Sequence, residues 1–222
     1  MRRWALVLLA ALFGVGGCTT HAPIHGEDSN VATLFFRAGF PLQKAGPRRI
    51  EIAGVQVTGR FTDNIQSGDP SFDGQEFSVP AALKGKAMLT SVSVRAVEPA
   101  LFLGGAIGVE MGVGGGFISS DITLQDGVAR AHNREYDNAV SGSLALLTRW
   151  IGSGFGARLG IESTVAVNHT LVQQELLAIY TYSPAVELLA GVRSMTYERS
   201  SDVDSDLRLE FSGPAAGLRI NF

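Results

Sequence analysis

The sequence is poor in most of the features that make a function readable. Its 222 residues hold one cysteine, Cys18, which excludes an internal disulfide. Charged residues make up 18% of the chain, against about a quarter in an ordinary globular domain. The net charge of −3 leaves no basic footprint for nucleic acid. Beyond the first segment, no stretch offers the roughly 20 consecutive apolar residues that a spanning helix needs. A phosphate-binding loop is also missing: Gly112-Val113-Gly114-Gly115-Gly116 has no lysine or helix after it, and glycines inside a strand allow bending or close packing instead. What is present is apolar content of 45% without long apolar runs. That composition is expected when every second residue of a transmembrane strand is apolar.

The amino-terminal segment reads as an address. Met1-Arg2-Arg3 is a short basic start, Trp4 to Val15 is an apolar core, and Gly16-Gly17-Cys18 follows; this is the layout of a signal peptide over residues 1–17. The small residues before the cysteine resemble a bacterial lipoprotein signal. That resemblance implies lipidation of Cys18 and, with Thr19 rather than aspartate next, sorting to the outer membrane. Ordinary cleavage after Gly17 is the alternative. Residues 18–48 read as a periplasmic tether or extension. Within it Val31 to Leu42 is apolar and compatible with an extra strand, a plug or a membrane-surface segment, and Gln43 to Arg48 is a break.

Residues 49–222 alternate with period two and are expected to form an all-β domain, an eight-stranded antiparallel up-and-down β-barrel. The strands are expected at Arg49–Phe61, Lys84–Val97, Ala100–Phe117, Asn138–Trp150, Gly154–Asn168, Val172–Tyr182, Ala185–Glu198 and the closing stretch after Asp206. Long polar connections, Thr62–Leu83 and Ile118–Asp137, alternate with tight ones such as Glu98-Pro99 and Ser183-Pro184, as external loops alternate with periplasmic turns. Trp150, Phe155, Tyr180, Tyr182 and Phe222 fall at strand ends on the tight-turn side and read as an aromatic girdle at a membrane interface.

The two faces of the strands differ in chemistry. Phe155, Ala157, Leu159 and Ile161 share one side of a strand, and Arg158 and Glu162 the other. Arg60, Arg95, Glu110, Arg149, Arg158, Glu162, Glu175, Glu187, Arg193, Glu210 and Arg219 all read as inward-pointing, a charge network in the lumen. A soluble sandwich or lipocalin-type barrel would place its charges outside, whereas an Arg or Lys facing mid-membrane lipid costs about 2–4 kcal/mol. Eight strands leave an interior that side chains fill, so these ions are expected to pair. In the last strand, Leu207, Leu209 and Phe211 occupy one parity and Leu218, Ile220 and Phe222 the other; a bulge at Gly213-Pro214 would reconcile them.

On these residues, Arg49 to Phe222 resembles the small eight-stranded outer-membrane β-barrels, the superfamily of the outer-membrane protein A transmembrane domain. The ending FSGPAAGLRINF resembles the C-terminal strand that such proteins present to the barrel-assembly machinery. The resemblance implies fold, membrane and assembly partner, with outer-membrane lipid and lipopolysaccharide as surroundings, but no activity. No catalytic set is evident. His169 reads as a rim histidine on the lipid-facing parity, without the serine two residues away that lipid A deacylases carry. His132 lies in a polar loop, and His21 and His25 lack a third metal ligand. Asp202, Asp204 and Asp206 read as a solvated acidic loop or a weak cation site. The expectation is a non-enzymatic outer-membrane barrel that needs no cofactor and acts through its external loops. A lipid-modifying enzyme and a narrow channel are the alternatives.

Overall fold

The computed structural model describes residues 22–28, 30–42, 48–103, 107–149, 154–201 and 203–222. The signal peptide, Cys18, His21, Trp150 and Asp202 lie outside them. Ten strands share one sheet, and no helix occurs among the described residues. β1 (Ile24–Asp28) and β2 (Thr33–Pro41) precede β3 (Arg49–Ile65); a small separate hairpin, β4 (Ser71–Phe72) and β5 (Gln75–Glu76), follows. Then come β6 (Ala81–Leu103), β7 (Ile107–Gln125), β8 (Arg130–Arg149), β9 (Phe155–Val165), β10 (His169–Ser183), β11 (Val186–Arg199) and β12 (Leu207–Asn221).

Hydrogen bonds run all the way round this sheet. From β2 the order is β3, β6, β7, β8, β9, β10, β11 and β12, and β12 pairs back onto β2. The ring therefore has nine strands where eight were expected, because the stretch assigned to the tether supplies β1 and β2. In a chain of antiparallel neighbours an odd count makes the first and last strands point the same way. Closure must then be parallel, and it is: Thr33 to Gly39 pair with Ala215 to Asn221, and Ile24 to Asp28 pair with Leu207 to Phe211. β1 and β2 thus share one partner strand with an interruption between them.

That interruption faces Gly213-Pro214, which explains both residues. The Val31 amide donates to the Ser212 carbonyl at 3.0 Å, and a Cβ on Gly213 would lie 2.5 Å from the Val31 carbonyl oxygen. Pro214 has no N–H to offer and stands just before the β2 pairing begins. The expected bulge is not there: β11 and β12 pair without a register shift from Val186↔Ile220 to Arg199↔Leu207.

Two connections also differ from expectation. Ile118–Asp137 is not a long loop but the distal arms of β7 and β8, joined by a tight turn in which Asp126 accepts from the Val128 and Ala129 amides. Glu98-Pro99 is not a turn but lies within β6, where the pairing with β7 shifts between Pro99 and Leu101. The arms of β7 and β8 read as loops in the sequence because their outward residues, Ser119, Asp121, Thr123, His132 and Arg134, are polar. Their alternation with buried Ile118, Ile122, Leu124 and Ala131 is regular strand alternation with the opposite chemistry.

That reversal organises the whole ring. In the half holding the β2 end and the chain terminus, the outer face carries Leu34, Phe36, Val94, Met111, Val113, Leu144, Leu146, Leu159, Leu176, Leu188, Val192 and Leu218, all exposed. The inner face of that half carries ions. In the other half, the crown, the inner face holds Val57, Phe61, Leu83, Leu89, Ile122, Leu124, Leu171, Met195, Leu209 and Phe211, all buried, and the outer face holds Arg60, Lys84, Lys86, Arg134, Glu198 and Arg208. The boundary follows the pairing. Val92 stands opposite Phe117, and Leu176 opposite Val192 opposite Pro214; one outward position further along are Thr90, Ser119, Gln174, Ser194 and Ser212. Across this boundary no strand changes which parity faces inward; the register shifts, after Pro99 in β6 and after Thr181 in β10, lie away from it. The residues change, and this is why the last strand seemed to switch faces.

Candidate functional site

Two polar clusters occupy the interior, one in each half. The first lies at the level of the outer apolar belt, and its described members come from every strand of the ring except β8. Among the described residues it contains Arg37, Arg49, Arg95, Arg158, Arg193 and Arg219 with Glu51, Glu110, Glu162, Glu175 and Glu187. Glu175 accepts from Arg37 at 2.8 Å, from Arg158 at 2.7 Å and from Arg193. Arg158 reaches on to Glu110 at 3.0 Å, and Glu110 takes Arg49 at 2.8 Å. Glu51 binds Arg37 at 3.1 Å and Arg95 at 2.9 Å, and Arg95 also meets Glu162. Arg219 pairs with Glu187 at 3.1 Å. The Arg193 guanidinium also lies over the Phe35 ring, 4.1 Å from its centroid, a favourable cation–π geometry.

The structure brings most of the expected lumen charges together here, but not all. Arg60 and Glu210 point outward from the crown; Glu210 is exposed enough to pair with Arg208 on the surface at 2.6 Å. Arg149 is the last residue of β8 and its side chain lies outside what the structure describes. Arg37, Arg49 and Glu51 were missed. Arg37 alternates inside Leu34, Phe36, Ala38 and Phe40, the same signature that revealed the others, but in a segment assigned to the extension.

Around the outside, Phe155 packs against Tyr180 with centroids 5.0 Å apart, and Phe222 stacks on Phe40 at 4.7 Å. Tyr182 is exposed. These rings stand at one rim of the apolar belt.

The second cluster lies inside the crown. His169 opens β10 and is 4% exposed, facing inward; it is not on the outer parity, because β9 stops at Val165 and residues 166–168 turn the chain. Its Nε2 lies 2.8 Å from Glu135 Oε2 and 2.7 Å from Asp137 Oδ2, and its Nδ1 lies 2.7 Å from the Tyr197 hydroxyl. Arg199 clamps Glu135, its Nη2 donating to Oε1 at 3.0 Å. Burial pushes the His169 imidazole below its ordinary range, with the two carboxylates pulling the other way, and burial pushes the Tyr197 phenol up. Glu135 and Asp137 sit two residues apart on the inward parity of β8; their polar stretch reads as a loop, and a loop reading does not aim them at His169.

The crown is closed by the 66–80 connection. Phe72 and Phe77 are buried, with the Arg199 guanidinium 5.2 Å from the Phe72 ring centroid. The Ser71 amide donates to Ser205 Oγ at 3.0 Å, and the Asp204 carboxylate accepts from the Asp73 and Gly74 amides, each at 3.1 Å. Asp73 has φ 53° and Gly74 φ 71°. Asp204 therefore caps a tight turn and is not a free cation ligand, and Asp206 accepts from the Ser201 amide at 3.2 Å. His132 is an exposed partner of Asp121 at 3.0 Å, and the His25 side chain is exposed.

Set against protein-family models, curated proteins and solved structures, the chain matches none of them. The resemblance to the outer-membrane protein A superfamily therefore rests on architecture alone, and the architecture agrees with it at the level of a large all-β sheet.

Proposed function

We propose that this protein is a transmembrane β-barrel of the bacterial outer membrane, non-enzymatic, with a structural or surface-interaction role carried by its crown. The observation that supports this best is the double reversal of chemistry at one level of the ring. In a single aqueous solvent, the exposed Leu, Val, Met and Phe of the belt would be an aggregation surface, while five buried arginines would be dearly desolvated. With hydrocarbon around the belt and water around the crown, both arrangements become favourable. On β10 the outward residues of the belt are Leu176, Ala178, Tyr180 and Tyr182, and the polar Gln174 marks its edge toward the crown.

The outer face of the crown favours lipopolysaccharide as a surrounding partner. Arg60, Lys84, Lys86, Arg130 and Arg134 are exposed on β3, β6 and β8, with β7 between the last two, and Arg60 stands directly opposite Lys86. Such a face attracts phosphate groups on the water side of a membrane. A conducting role is less well supported, because the interior is filled with paired ions at the belt and with apolar side chains in the crown. Leu218 and Ile220 on the outer parity of β12, with Phe222 just after it, remain the candidate signal for the assembly machinery.

Expression of the full chain in a Gram-negative host tests this reading. It should resist carbonate extraction from the outer-membrane fraction and migrate differently on a gel before and after boiling. Release by carbonate with no heat-dependent shift would overturn it.

A further inference from the structure

We infer that Glu135, Asp137 and His169 form a binding site for one divalent transition-metal ion of the zinc class. The site follows from an irregularity of the ring. β8 pairs with β9 only from Val140↔Val165 onward, yet β8 continues to Arg130. Over residues 130–139 its edge on the β9 side has no strand partner among the described residues, and the wall there is notched. Glu135 and Asp137 project from this edge, and His169 meets them from the first position of β10.

The three donor atoms all lie within 4.8 Å of one another, with two carboxylate oxygens at 2.8 and 2.7 Å from the same imidazole nitrogen. One Nε2 carries at most one hydrogen, so a proton there cannot serve both carboxylates along good lines. A cation between the three satisfies every donor at once. Zinc bonds of about 2.0–2.2 Å in a tetrahedral arrangement place ligand atoms roughly 3.3–3.5 Å apart, so the side chains must open by about half an ångström. The notch allows that: the Asp137 side chain is 39% exposed and that of Glu135 26%, which also gives the ion a way in.

The surroundings are those of a metal ligand set. Metal-binding histidines hold their other ring nitrogen to a fixed partner, and Nδ1 of His169 lies 2.7 Å from the hydroxyl of Tyr197, which is fully buried. Arg199 fixes Glu135 mainly through Oε1, although its Nε also comes within 3.3 Å of Oε2. One imidazole with two carboxylates suits zinc or manganese better than calcium, which takes oxygen ligands only. Three protein ligands leave a fourth position for water.

The test uses the full chain purified in detergent, equilibrated with Zn²⁺ or Co²⁺, with metal per chain measured by atomic emission and the cobalt coordination by visible absorption. We expect one tightly held ion in the wild type, none in His169→Ala, and affinity lowered about 10–100-fold in Tyr197→Phe. Asp137→Asn, on the solvent side, provides a second ligand variant, and heat-dependent gel migration shows whether each variant folds. A folded His169→Ala that retains the ion would overturn the site, as would a wild type that binds none; the cluster would then be a hydrogen-bonded closure of the notch.

Discussion

Glu175 takes three guanidiniums in the interior, those of Arg37, Arg158 and Arg193. Each of those arginines is 4% exposed or less at its side chain, so losing the shared carboxylate leaves positive charges that neither water nor another partner can fully screen. Removing one member of a buried ion network costs about 3–5 kcal/mol. Glu175→Gln, which keeps the shape, is expected to lower unfolding stability in detergent by that order. The exposed Arg208–Glu210 pair serves as the contrast: Arg208→Ala should change stability by no more than about 1 kcal/mol. Equal effects of the two substitutions would show that the interior network is not what holds this half together. Individual residues were legible in the sequence when they alternated with apolar neighbours, as Arg158, Glu162 and Glu187 do. His169 was not, because its direction depends on where β9 ends, and a three-residue turn is invisible to a count by twos.

Strand β12 is the element on which closure depends, since both pieces of the interrupted first strand pair with it. Gly213 sits at the interruption, where a Cβ would press 2.5 Å from the Val31 carbonyl oxygen and 2.8 Å from its amide nitrogen. The three nearest atoms are all Val31 backbone, so no flexible side chain is there to yield. Gly213→Val is expected to cost about 1–3 kcal/mol, the usual penalty of overpacking, and to loosen β1, so that limited proteolysis of the folded protein cuts within residues 24–32. Ser212→Ala, one position away, should leave both readouts at wild-type values; a Gly213→Val protein that is equally resistant would show that this approach does not hold β1. The terminal strand was readable from its alternation, whereas the first was not. β2 offers one charge, Arg37, in nine residues, and such a stretch has no property that separates a strand from a plug or an interfacial segment.

For the whole molecule, the rule of charges inside and apolar residues outside holds for only half of the ring. In the crown the rule is reversed, which is why Arg60 and Glu210 were placed inward from sequence and lie outward in the structure. On the proposed reading, a strand crossing from hydrocarbon into water keeps its geometry and exchanges its two chemistries. Read by chemistry alone, that exchange imitates a loop in β7 and β8 and a bulge in β12. The apolar periodicity was therefore a good guide to the belt and a poor guide to the strand lengths beyond it.

Spin labels placed one at a time on the outer face probe this division directly. In a Cys18→Ser background reconstituted in lipid, cysteines at Leu159, Leu176 and Val192 report on the belt, and cysteines at Lys86 and Thr123 on the crown. Labels in the belt should collide freely with dissolved oxygen and hardly at all with a water-soluble nickel complex, and labels in the crown should do the reverse. Belt labels as open to the nickel complex as those at Lys86 and Thr123 would contradict the account.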